Sequence, residues 1–80
     1  MEFEYVLEEV IRLARRQFRV EKAEILETTT ASDISSWNSL SHVMLIGSIE
    51  AFFEIKFDLL QMIDMQSIGD IARATHQMLK

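Results

Sequence analysis

Cysteine and proline are both absent from this 80-residue chain, and glycine occurs only at Gly47 and Gly69. Without a thiol the polypeptide forms neither a disulfide nor a thiolate metal site, and it has no sulfur nucleophile of its own. Any thiol chemistry must be supplied by an attached group. The shortage of Gly and Pro removes the residues that most often punctuate strands and turns, which points to an all-α chain. No apolar run reaches the roughly 18 to 20 residues of a membrane span, and Met1-Glu2-Phe3-Glu4 lacks the basic start of a signal peptide. A cytoplasmic protein without membrane insertion is expected. Basic residues are the minority: 8 Lys and Arg stand against 13 Asp and Glu, a net charge of −5. That balance would repel a nucleic-acid backbone and favours protein partners that present Lys and Arg. Eighty residues leave room for one small core. Residues 1–80 are therefore read as one domain, a monomer with no large catalytic pocket.

What is present is helical periodicity. Phe3, Leu7, Val10, Ala14 and Phe18 recur at spacings of four, three, four and four, with Val6 and Ile11 widening the stripe, which predicts a helix over residues 2–17. Glu2, Glu4, Glu8 and Glu9 lie toward its start and Arg12, Arg15 and Arg16 toward its end, the order that complements the helix dipole; these charges are read as a solvated face. From Arg19 to Asn38 the pattern breaks, leaving isolated Val20, Ile25, Leu26 and Ile34 in a polar stretch. A connection of about twenty residues is longer than compact helix pairs need, and loops of that length are often functional.

The connection ends at Ser36-Trp37-Asn38-Ser39-Leu40-Ser41-His42-Val43, where a polar turn runs into an apolar helix predicted over residues 39–54. A serine at such a junction sits beside backbone N–H groups that have no partner within the helix, a place that favours an exposed hydroxyl and a nearby anion. Ser39 thus suits a serine that carries a phosphate ester. On a helical wheel Leu45, Ile46, Ile49 and Phe53 form the core side, flanked by Phe52 and His42. Leu40, Met44, Gly47 and Ala51 form a second stripe opposite, with Val43, Glu50 and Glu54 beside it, and this stripe is read as a docking surface. Residues 57–65 are apolar but short, so a helix of one or two turns held by packing is expected. Ser67-Ile68-Gly69-Asp70 reads as a capping box that starts a last helix running to the chain end. Three longer helices, one short helix and a long first loop make a small four-helix bundle.

These residues resemble the acyl carrier protein family. Trp37-Asn38-Ser39-Leu40-Ser41-His42-Val43 is similar to its Asp-Ser-Leu motif, and Ile49-Glu50-Ala51-Phe52-Phe53 and Ser67-Ile68-Gly69-Asp70-Ile71 follow at matching distances over nearly the whole chain. The resemblance implies the bundle of that family and a non-enzymatic carrier. It implies that Ser39 is esterified with 4′-phosphopantetheine, taken from coenzyme A by a phosphopantetheinyl transferase. The thiol of that arm would hold acyl or aminoacyl groups as thioesters and present them to loading and transferring enzymes of a biosynthetic pathway. It also implies a partner surface on the second helix, at Asn38, Leu40, Val43, Met44, Gly47 and Glu50. Asn38 departs from the usual Asp, keeping hydrogen-bonding capacity while losing a charge. Met44 and Ala51 replace acidic residues common in fatty-acid carriers, and Ser35-Ser36-Trp37 replaces a glycine before the motif. A specialised carrier from a secondary-metabolite, polysaccharide or aminoacyl pathway is the corresponding expectation, with docking more apolar and less salt-sensitive than usual.

Other chemistry is less well served. Ser39 and His42 stand at i, i+3 without the orienting carboxylate or oxyanion loop that nucleophilic catalysis needs. His42 and His76 lack the acidic neighbours of a metal site. Trp37 is read as an anchor of the long loop. The alternative function is an unmodified helical adaptor that binds a partner through the exposed stripe of the second helix.

Overall fold

A computed structural model describes residues 1–20 and 24–80; Glu21 and Lys22, read from sequence as part of the long connection, lie outside the described residues. Four α-helices follow in order: α1 (Phe3–Phe18), α2 (Ser39–Phe53), α3 (Leu59–Asp64) and α4 (Ile68–Met78), with a 3₁₀ turn at Ala31–Asp33. The all-helical bundle expected from sequence is what the chain forms, and the helix ends differ from expectation by only one or two residues. α1 packs against both α2 and α4. Its buried side chains are Val6, Val10, Leu13, Ala14 and Phe18, with Phe3, Leu7 and Ile11 partly covered. Leu13 joins the stripe from beside the expected positions, because α1 sits between two helices and must bury a wider face than one partner requires.

α2 buries Leu45, Ile46, Ile49 and Phe53, the four residues assigned to the core from the wheel. Among the described residues no further element covers its other stripe: Leu40 and Met44 are 71% and 51% exposed, and Val43 beside them is 56% exposed. α1 and α2 end without glycine, at Arg19 and Glu54, both left-handed at φ 57°. A few per cent of non-Gly residues adopt this conformation, and the N–H groups of Val20 and Ile55 reach back to the carbonyls of Arg15 and Glu50 to close each end.

α3 is a different kind of helix, because none of its six residues is buried. Leu59, Leu60 and Ile63 are 68%, 73% and 61% exposed. Its packing comes from the residues beside it, Phe57 and Met65, both buried, and from Met62, which is partly covered. A reciprocal cap adds to this: the Asp58 carboxylate accepts from Gln61 N–H at 2.8 Å and the Gln61 side chain accepts from Asp58 N–H at 2.9 Å.

The long connection is fastened rather than loose. Ile25, Ile34 and Trp37 are buried, whereas Leu26 is half exposed. Thr30 bridges to Ser67, and the carbonyls of Thr29 and Glu27 accept the N–H groups of Ile68 (2.9 Å) and Gly69 (2.7 Å). The loop therefore lies across the start of α4. A Cβ at Gly69 would stand 2.9 Å from the Glu27 carbonyl oxygen, so only glycine lets the loop approach this closely. Among the described residues no helix is long and apolar enough to cross a membrane.

Candidate functional site

The start of α2 is assembled from a cap, a turn and an aromatic brace. Asn38 is the cap, with extended backbone (φ −124°, ψ −175°). Its side-chain oxygen accepts the Ser41 N–H at 3.0 Å, and the Ser41 hydroxyl oxygen accepts the Asn38 N–H at 2.8 Å. The Ser41 hydroxyl in turn donates to the Ser36 carbonyl at 2.7 Å. The amide at position 38 thus does the accepting that a carboxylate would do, and the departure from Asp costs the site charge rather than structure.

Ser39 is the first helical residue after this cap and is exposed. Its hydroxyl makes no hydrogen bond among the described residues, and the N–H groups of Ser39 and Leu40 precede any carbonyl the helix can offer. One unengaged hydroxyl and two unengaged amides therefore face the same end of α2. Their dipoles favour a negative group there.

Trp37 and His42 hold this end in place. Trp37 is only 5% exposed, with its ring 5.0 Å from that of Phe18 in α1 and 6.0 Å from that of His42, near parallel to both. Its indole N–H donates to His42 Nδ1 at 3.0 Å, which leaves the His42 proton on Nε2, where it donates to the Met62 carbonyl at 3.0 Å. A single line of contacts thus runs from α1 through the loop and α2 to α3. The roles expected from sequence, Trp37 as an anchor of the loop and His42 as a flank of the core side of α2, do not include this pairing. The signal was available: they occupy the positions just before the cap and at the fourth helical residue, the spacing of a hydrophobic staple.

Behind Ser39 lies an open groove of about 580 Å³ whose walls include Trp37, Val43, Leu59, Met62, Ile63 and Met65. Leu59, Met62 and Ile63 of α3 are one wall of it, which gives that short helix a place its sequence did not announce. Of the positions expected to meet partners, Asn38, Leu40, Val43, Met44 and Gly47 are exposed on or beside one face of α2. A Cβ at Gly47 would meet nothing within 4 Å. Glu50 is different: it is half-buried, and its carboxylate accepts the Phe57 N–H at 2.8 Å, tying α2 to the loop before α3.

His76 lies elsewhere, with its ring edge-on to Phe3 at 5.7 Å and Nε2 3.1 Å from the Met1 carbonyl. Among the described residues no group of three or more His, Cys, Asp or Glu side chains is placed to hold a metal ion. At the start of α4 the Asp70 carboxyl is held below its ordinary value, first by the Gln66 N–H at 3.1 Å; the cost of burial, next in size, opposes this, and Arg73 at 2.9 Å and the Ser67 N–H at 3.2 Å lower it further.

No family model and no curated protein matches this sequence. The fold is similar to the solution NMR structure of a holo acyl carrier protein from Geobacter metallireducens, with a TM-score of 0.84, 32% identity, and 92% of this chain and 85% of that one covered.

Proposed function

This chain belongs to the acyl carrier protein family, and from that premise we propose that it carries acyl or aminoacyl groups as thioesters on a 4′-phosphopantetheine arm attached to Ser39. The fold is that of a carrier rather than a catalyst. The observation that carries the reading is the state of Ser39: an exposed hydroxyl at the first position of α2 that, like the two N–H groups beside it, meets no partner among the described residues, on the rim of an apolar groove.

The residues fit such a group. In the transferase the Ser39 oxygen would attack the phosphorus of coenzyme A that bears the pantetheine; a new P–O bond forms, adenosine 3′,5′-bisphosphate leaves and the hydroxyl proton passes to the transferase. The N–H groups of Ser39 and Leu40 would receive the charge of the resulting phosphodiester. Asn38 keeps the helix start in shape without adding a negative charge beside that phosphate. Trp37 and Val43 offer apolar surface along the groove. When bound, the arm supplies the thiol that the polypeptide lacks. The other residues expected to meet partners, Leu40, Met44 and Gly47, stand open on α2 for the transferase and for loading and transferring enzymes of a specialised biosynthetic pathway.

Intact-mass measurement after incubation with coenzyme A and a broad-specificity phosphopantetheinyl transferase tests this reading. The parent chain should gain one phosphopantetheine, and Ser39→Ala none. An unchanged parent mass, or a gain that persists in Ser39→Ala, would exclude it and leave the unmodified adaptor.

A further inference from the structure

The net charge of the whole chain points to basic partners, but the charge next to the exposed face of α2 has the opposite sign. Arg12, Arg16 and Arg19 recur at i, i+4 and i+7 and so share one side of α1. Three contacts place that side along α2. The Arg12 guanidinium lies 5.2 Å from the centroid of Phe52; Arg16 and Arg19 line a polar pocket of about 330 Å³ with Ser48; and the Gln17 amide reaches the Met44 sulfur at 3.8 Å. The two helices therefore run antiparallel, with the last turn of α1 beside the first half of α2. The Ser36 hydroxyl donates to the Phe18 carbonyl at 2.6 Å, which ties the same end of α1 to the turn leading to Ser39.

All three arginines are exposed. Arg12 is paired with Glu9 at 2.7 Å, and no ion pair among the described residues involves Arg16 or Arg19. The first turn of α2 contains no acidic residue; the acids of this helix stand toward its other end, Glu50 half-buried with its carboxylate turned to the Phe57 N–H and Glu54 at the C-terminal cap. Acidic Glu2, Glu4 and Glu8 stand at the far end of α1. With a screening length of about 8 Å at physiological ionic strength, the charges nearest a contact outweigh the remote ones.

We propose that the acyl-handling enzyme which docks on α2 packs apolar side chains on Leu40, Val43 and Met44 and places carboxylates opposite Arg16 and Arg19. This rests on the carrier reading and adds the chemistry of the partner: an apolar centre with an acidic rim on the α1 side. It reverses the expectation drawn from net charge, and it makes docking sensitive to salt, because exposed opposite charges are screened.

The test is an NMR titration of the labelled protein with two helical peptides that share one leucine-bearing face, the first flanked by Glu and the second by Lys. At low salt the Glu peptide should bind about three- to tenfold more tightly, as two exposed charge pairs allow. Amide signals of residues 16–19 and 44–48 should move. The preference should vanish near 1 M salt and in the Arg16→Gln/Arg19→Gln variant, which folds like the parent because both side chains are exposed. Equal binding, a preference for Lys or no binding of either peptide would overturn the proposal. So would tighter binding, through the same residues, to vesicles containing phosphatidylserine, which would assign the patch to a membrane. Ser39→Ala should bind the Glu peptide as the parent does, so failure of this surface and failure of Ser39 modification read out separately.

Discussion

The starts of α2 and α4 are built from the same local chemistry and end up in opposite situations. Each has a reciprocal cap, Asn38 with Ser41 in one and Ser67 with Asp70 in the other. At α4 the next two N–H groups are consumed by the loop: Ile68 donates to Thr29 and Gly69 to Glu27. At α2 the corresponding groups, on Ser39 and Leu40, meet no protein acceptor among the described residues. A capped helix start is thus a common element of construction, and it is the covering that separates a structural joint from an open helix start whose dipole favours an anion. The side chains follow suit, since the second residue of α4 must be glycine to admit the loop, whereas the first residue of α2 carries an exposed hydroxyl.

The comparison can be broken most forcefully at the closed end. Gly69→Ala puts a methyl group 2.9 Å from the Glu27 carbonyl and 3.1 Å from the Arg73 guanidinium, so the loop must shift. A loss of about 1 to 3 kcal/mol is expected, read as a lower midpoint in urea at unchanged slope. Gly47→Ala is the control: it faces open space on an exposed helix and should stabilise by about 0.5 to 1 kcal/mol.

At the open end, Asn38→Ala removes the oxygen that accepts the Ser41 N–H and should cost about 0.5 to 2 kcal/mol in thermal or urea unfolding. Asn38→Asp retains the acceptor and adds a charge that suits the helix dipole, so its stability should equal or slightly exceed that of the parent. If Asn38→Asp instead destabilised the fold as much as Asn38→Ala, the amide would be doing something in the folded chain beyond capping.

The smallest effect separates the two caps by pH. Asp70 titrates below its ordinary value because the folded state supplies the N–H groups of Gln66 and Ser67 and the Arg73 guanidinium. Its charged form is therefore favoured by folding. That contribution is complete above the ordinary carboxylate value and is lost as pH falls from there through the lower folded value. The parent should lose stability more steeply on acidification than Asp70→Asn, with the two melting curves converging at the lowest pH. Asp70 is more than a third exposed, so the difference should be modest and reduced by salt.

Much of this was legible in the residues themselves. The period of Val6, Val10 and Ala14, the core face of Leu45, Ile46, Ile49 and Phe53, and the cap at Ser67 were all readable, because helical spacing and capping act between residues close in sequence. Ser39 stood out for the same reason, as the first residue of an apolar helix after a polar turn. Contacts between remote segments were not readable. The bond from His42 to Met62 spans 20 positions, Gly69 owes its identity to Glu27, and Gln17 reaches Met44 across 27.

Local pattern by itself determined that the chain forms helices, where they start, which faces are apolar and which serine heads the second helix. Tertiary structure alone decided which of two similarly capped helix starts is left open, that α3 lines a groove instead of filling the core, and that arginines rather than acids border α2. The physical reason is range. Capping and periodicity depend on neighbours within a turn or two, whereas covering an N–H group, walling a groove or setting a local field depends on which distant segment folding brings alongside.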